Sequence, residues 1–119
     1  MSRLRRAALP GLLLAALALP AQAHRPTVQE CREAGEFIRN AALSRDNGLS
    51  REAFMDRLLG DLMAIRGHPP AMRWFAQDAE SEAFLVAAAG QVFDRPRRAS
   101  EHEAETLRAC LARMGAGAT

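Results

Sequence analysis

The sequence predicts an all-α protein, a small bundle of four to five short helices whose first and last helices are joined by a disulfide. Apolar residues recur at spacings of three and four along most of the chain, and no stretch shows the apolar–polar alternation of β-strands. Residue patterns that start helices precede several of these apolar stripes. Two cysteines, Cys31 and Cys110, lie on the first and last stripes.

Residues 1–23 predict a secretory signal peptide. Three arginines in the first six residues give a basic start, residues 12–19 are apolar without interruption, and Ala21-Gln22-Ala23 has the small-x-small pattern that signal peptidase reads. We expect cleavage between Ala23 and His24. The apolar run is bracketed by prolines and is shorter than the roughly 20 residues that a membrane-spanning helix needs. No transmembrane segment is expected after signal removal.

The processed chain, residues 24–119, is expected to be one helical domain, periplasmic or secreted, with a frayed tail over 114–119. Three of the 16 arginines lie in the signal, so 13 arginines remain against 14 acidic residues, a net charge of −1. The basic pI of the whole chain therefore gives no reason to propose nucleic acid as a partner.

The two cysteines predict a structural disulfide, because an even count in a small exported protein is typical of one. The bridge between Cys31 and Cys110 would close a loop of about 80 residues and stabilise the fold by about 4 kcal/mol. A redox role is the alternative, but the sequence has no C-x-x-C pattern.

The first half of the domain predicts two helices. Thr27 and Glu30 have the spacing of a capping box for a helix that ends near Arg45. Ser50 is the expected cap of the second helix, which Gly67 ends. The apolar stripe of this second helix comprises Phe54, Leu58, Leu59, Leu62 and Ile65, widened by Met55 and Met63.

The second half of the domain is less regular in sequence. Residues 70–93 are compatible with one helix or two; Pro70 fits a helical first turn, and we expect a break near Asp78, with Ser81 as another possible cap. Ser100-Glu101-His102-Glu103 predicts a second capping box, before a helix that ends at Gly115. His102, surrounded by acidic residues, is expected to be exposed to solvent.

The stretch Arg45-Asp46-Asn47-Gly48-Leu49-Ser50 predicts a helix–helix corner. Gly48 accepts the left-handed conformation that ends a helix, and Ser50 starts the next one. A calcium loop is excluded, because the series of oxygen ligands and the closing Glu are missing. We expect Arg45 or Asp46 to tie the corner to a neighbouring helix.

The sequence has no motif that predicts a catalytic, cofactor or metal site. His24, His68 and His102 show none of the usual metal-ligand spacings, and the serines are explained as helix caps. A possible interaction surface comprises Met72, Trp74, Arg95, Arg97 and Arg98. The alternative places Trp74 at the edge of the core and the arginines in a solvated loop.

Four features together carry a resemblance: the signal peptide, a cysteine in the first helix, the corner above, and Val92-Phe93-Asp94-Arg95-Pro96 before a closing cysteine. The chain resembles a loose group of small exported proteobacterial helical proteins, of unknown function. The resemblance implies a helical fold, export and a two-cysteine clamp, and it brings no catalytic residues. Two hypotheses follow: a non-enzymatic interaction or stress factor that contacts another envelope protein, or a periplasmic module that binds a small ligand or metal.

Overall fold

The computed structural model describes residues 24–116, which form four α-helices and no strand. They are α1 (Val28–Asp46), α2 (Arg51–Ile65), α3 (Ala79–Asp94) and α4 (Ala99–Ala116), with a single 3-10 turn at Pro70–Met72. This confirms the all-α prediction for the described residues. The predicted signal peptide and residues 117–119 lie outside them. Within residues 24–116, no helix is both long enough and apolar enough to cross a bilayer.

The disulfide joins α1 to α4, as predicted. Cys31 and Cys110 are fully buried and bonded to each other, with their Cα atoms 5.5 Å apart. The most extensive helix–helix packing in the described chain is between these two helices. Gly35 of α1 lies against α4, where an added Cβ would meet the carbonyl oxygen of Glu103 at 3.4 Å. Covalent and packing interactions therefore fix the same pair of helices.

Three helices begin with side-chain caps. At α1 the Thr27 hydroxyl accepts from the Glu30 N–H at 3.1 Å, and the Glu30 carboxylate accepts from the Thr27 N–H at 2.9 Å, which confirms the capping box. The Ser50 hydroxyl accepts from the Ala53 N–H at 3.1 Å, as predicted for α2. At α3 the cap is Asp78, whose carboxylate accepts from the Ser81 N–H at 2.9 Å.

Two predicted caps are wrong. Ser81 lies inside α3 and is fully buried, because Asp78 already provides the cap three residues earlier. Ser100 lies within the first turn of α4, which begins at Ala99. There the Glu101 carboxylate accepts from the backbone N–H of Arg98 at 3.3 Å. The α4 helix also continues to Ala116, beyond the end expected at Gly115.

The segment between α2 and α3 breaks near Asp78, as expected, but its first part is no α-helix. After the 3-10 turn, Trp74 adopts a positive φ of 54°, which interrupts any helical path. The Gln77 side-chain amide donates to the carbonyl oxygens of Pro70 at 2.9 Å and Trp74 at 2.6 Å. These bonds hold the segment in a compact loop.

The buried faces of the helices contain fewer residues than the apolar stripes predicted from the sequence. In α2, Leu58 and Leu62 are buried, whereas Leu59 and Met63 are 48% and 69% exposed. In α4, the buried residues are His102, Thr106 and Cys110, at spacings of four. The predicted exposure of His102 is therefore wrong, because its position on the Cys110 face turns it towards the core.

Candidate functional site

A groove of about 750 Å³ separates α1 from α2, and we call it the α1–α2 groove. Six apolar residues form much of its lining: Phe37, Leu58, Leu62, Ile65, Met72 and Trp74. Five polar residues also line the groove: Gln29, Glu33, Glu36, Asn40 and Asp61. The groove is open to solvent, unlike a closed cavity in a core.

The groove exists because α1 and α2 do not pack closely together. The α1 helix packs on α4 and α3, and α2 packs on α3, while direct contact between α1 and α2 is sparse. One aromatic contact bridges the two helices, between Phe37 and Phe54 with ring centroids 5.9 Å apart. The residues that line the gap come only from α1, α2 and the loop that follows α2.

Trp74 is strained and borders the groove. A bulky residue at positive φ costs on the order of 1–3 kcal/mol, and such strain is concentrated at binding sites. The indole packs edge-on against Phe37 at 5.6 Å and against Phe75 at 6.3 Å, and its backbone is held by Gln77. Trp74 is half-buried at the edge of the core, and it lines the groove together with Met72, which is 65% exposed.

The acidic residues of the groove are locally unbalanced. Glu33, Glu36 and Asp61 line it, no arginine does, and none of the three forms an ion pair within residues 24–116. Elsewhere in this part of the chain, six acidic residues are paired with arginines, whereas Glu52, Asp56 and Glu80 also form no ion pair. Among the six, Asp94 bonds Arg51 at 2.9 Å. The α1–α2 groove is therefore a negative site on a chain of nearly balanced charge.

The three arginines of the predicted interaction surface lie away from the groove. Arg97 pairs with Glu105 at 2.7 Å, and Arg98 pairs with Glu101 at 3.4 Å. They border a shallow depression of about 550 Å³ that Arg45 and Asp46 also line. Arg95 is exposed at the end of α3. Two of the three cations of this surface are therefore already paired with carboxylates.

Arg45 ties the corner to the rest of the bundle, as expected. Its guanidinium donates to the carbonyl oxygens of Val92 and Arg97, both at 2.7 Å, and to the Asp46 carboxylate at 2.9 Å. Gly48 has a φ of 98°, which confirms its predicted conformation. The corner therefore has a structural role: it joins the end of α1 to the end of α3 and to the turn before α4.

His102 extends the Arg45 cluster into the core. It is 3% exposed, and its Nε2 accepts from the Arg97 N–H at 3.1 Å, with Arg45 Nη1 at 3.4 Å. Burial lowers the pKa of His102, and the positive charges of Arg97 and Arg45 lower it further, against a smaller opposing effect of Glu105 and Glu101. The ring is therefore neutral with Nε2 as the acceptor. The spacing of four from His102 to Thr106 and Cys110 is the sequence signal that identifies this burial.

His24 is held by two acidic side chains. Its backbone N donates to the Asp78 carboxylate at 2.6 Å, and its Nε2 lies 3.0 Å from the Glu30 carboxylate. Burial raises the pKa of Asp78, but the N–H groups of His24 and Ser81 lower it by more, so the net pKa is below its usual value. In the described part of the chain, no group of three or more His, Cys, Asp or Glu residues could hold a metal ion.

The sequence matches no protein-family model, no curated protein and no solved structure.

Proposed function

We propose that the protein is an exported, non-enzymatic interaction module, which receives an apolar segment of another envelope protein in its α1–α2 groove. The observation that carries the proposal is the groove itself, an apolar gap between two helices beside a strained tryptophan. Interfaces that bind proteins are centred on buried aromatic anchors, with Trp enriched among the residues that contribute most. Trp74 and Met72 provide such an anchor at the edge of the groove.

Export is supported by three features. A disulfide between the first and last helices persists in oxidising compartments. Cleavage after Ala23 would turn the backbone N of His24 into a charged α-amine, at the position where it now donates to Asp78. That change would convert a hydrogen bond from a neutral amide to the carboxylate into an ion pair, which suits the proposed processing site. The resemblance to small exported helical proteins points the same way.

The alternative function, a periplasmic module for a small ligand, has one observation in its favour. The groove volume of about 750 Å³ lies within the range of small-molecule sites, which is about 300–1,000 Å³. Such sites enclose most of their ligand, however, and this groove is open along the two helices. The open shape favours a segment of a macromolecule.

The test uses Trp74, the only tryptophan of the chain, as a reporter of groove occupancy. Exported protein with its disulfide intact is titrated with Trp-free amphipathic helical peptides and with a polar peptide of equal length. We expect a saturable change in Trp74 emission with the amphipathic peptides only, and a negative heat-capacity change of binding from apolar burial.

Two matched variants assign the binding to the groove. Ala64→Phe places a ring in the groove, whereas Ala83→Phe adds the same ring at an exposed position of α3 that does not line it. We expect Ala64→Phe to weaken binding by about tenfold or more and Ala83→Phe to leave it unchanged, since a filled site excludes the peptide's apolar side chains. Equal binding by both variants, or no binding by any peptide, would overturn the proposal. Binding of small apolar compounds but of no peptide would establish the alternative.

A further inference from the structure

We propose that the occupant of the α1–α2 groove is a cationic amphipathic helix of about three turns. This inference rests on the proposed function and specifies the chemistry of the partner. It has three parts, which concern the length of the groove, the type of secondary structure that fits it, and the charge of its border.

The length of the groove corresponds to a short helix. Its α1 side extends from Gln29 to Asn40, about 11 residue steps of about 1.5 Å, or about 16 Å. A partner helix of that length presents three to four apolar side chains at i, i+3 or i+4, and i+7, which is the usual pattern of a helix bound in a groove. The apolar lining of the opposite wall is shorter: it extends from Leu58 to Ile65, seven residue steps or about 10 Å of α2.

A helix also suits the walls. The groove is bounded by two α-helices, and residues 24–116 contain no sheet edge to which an extended segment could add. A helix that lies over the α1–α2 groove would place its apolar side chains between those of α1 and α2 and pack against both. The partner would complete the bundle at the position left open.

The border of the groove determines the charge of the partner. Glu33 and Glu36 on α1 and Asp61 on α2 line the groove together with its apolar residues, and no arginine belongs to the lining. A bound helix with Lys or Arg beside its apolar stripe would place cations next to these three carboxylates. An acidic helix would bring like charges together while removing water from them, which is unfavourable.

The same charges argue against a second copy of this chain as the occupant. Its exposed apolar pair on α2, Leu59 and Met63, is at helical spacing from Glu52 and Asp56, on the same face. Docking of that face in the α1–α2 groove of a partner copy would set two acids against three. A cationic partner avoids this repulsion.

The test compares three versions of one Trp-free, 18-residue helical peptide with an identical leucine stripe. The positions that flank the stripe are Lys in the first, Gln in the second and Glu in the third, and Trp74 emission reports binding. We expect the Lys version to bind about tenfold more tightly than the Gln version, from three exposed charge pairs, and the Glu version to bind most weakly. The advantage of the Lys version should shrink as salt is raised from about 0.05 to about 0.5 M.

Two triple variants separate local from total charge. Glu33→Gln, Glu36→Gln and Asp61→Asn together should make the Lys and Gln peptides bind alike. Glu52→Gln, Asp56→Asn and Glu80→Gln remove the same number of charges at exposed positions that do not line the groove, and should keep the preference.

Each outcome has a defined meaning. Equal affinity for the Lys and Gln versions would overturn the cationic partner while leaving the groove as an apolar docking site. Failure of all three versions to bind would remove the proposed function as well. A dimer in solution that Ala64→Phe converts to monomer would show that a second copy occupies the groove, which also overturns the inference.

Discussion

Replacement of Arg45 by methionine should reduce the stability of the fold by about 3 kcal/mol. Methionine keeps the apolar stem of the side chain but removes the guanidinium, and so leaves the carbonyl oxygens of Val92 and Arg97 without this donor. Hydrogen bonds to charged groups contribute about 1.5–3 kcal/mol each. The Arg45 side chain is 15% exposed, so water can replace part of each interaction. The lower value of about 1.5 kcal/mol therefore applies to each of the two bonds, about 3 kcal/mol together.

The assay for Arg45→Met is reversible thermal or urea unfolding with the disulfide intact. For a domain of this size, about 3 kcal/mol corresponds to a fall in Tm of about 12–24 °C. Asp46→Asn is the matched control: Asp46 is 53% exposed and contributes only a surface ion pair with Arg45, so its loss should cost less than about 1 kcal/mol. The pKa of His102 should also rise in Arg45→Met, since one of the charges that lower it is gone. Equal stabilities of the two variants would refute the role given to Arg45.

Three further predictions concern the covalent clamp, the buried histidine and the N-terminus that the proposed cleavage would create. The double variant Cys31→Ala, Cys110→Ala should lose about 2–5 kcal/mol, and an unchanged urea midpoint would contradict the clamp. Because folding lowers the pKa of His102, the ring binds a proton more readily in the unfolded chain than in the folded one. The contribution of neutral His102 to stability should therefore be complete above about pH 6.5 and decrease as the pH falls towards the lowered pKa. The free energy of unfolding should decrease by at most about 1.4 kcal/mol per pH unit. His102→Gln should flatten this dependence below about pH 6.5, and an identical slope in both proteins would exclude His102 as its source. A chain that begins at His24 should be more stable at pH 6 than one that begins at Ala23, by about 0.5–1 kcal/mol, because its α-amine forms an ion pair with Asp78. Equal Tm values for the two chains would show that this ion pair does not stabilise the fold.

The elements that sequence could predict are those set by local chemistry. The capping box at Thr27, the Ser50 cap and the left-handed Gly48 each depend on bonds between residues close in the chain. The disulfide was predictable because two cysteines allow only one intramolecular pairing. In each case, few other local conformations or cysteine pairings are available to these residues.

The parts that sequence did not predict depend on contacts between distant residues. The loop after Pro70 has the apolar spacing of a helix, but the Gln77 bonds and the packing of Trp74 on Phe37 stabilise a different conformation. His102 is buried because its partners, Arg45 and Arg97, come from other parts of the fold.

The candidate site was predictable only in part. Met72 and Trp74 could be selected from the sequence as possible contacts, but they belong with Glu33, Glu36 and Asp61 only once the chain has folded. The groove is defined by the distance between α1 and α2, which depends on how each of them packs against the other helices. No periodicity along one segment contains that information.

If the acids of the α1–α2 groove select a cationic helix, reversing their charge should reverse the preference between peptides. Lysines at positions 33, 36 and 61 (Glu33→Lys, Glu36→Lys and Asp61→Lys) should invert the order of peptide affinities, measured by Trp74 emission at low salt. We predict that the reversed protein binds the Glu peptide about tenfold more tightly than the Lys peptide, the opposite of the natural chain. An unchanged order of affinities in a reversed protein that keeps its helical content and its Tm would contradict the claim.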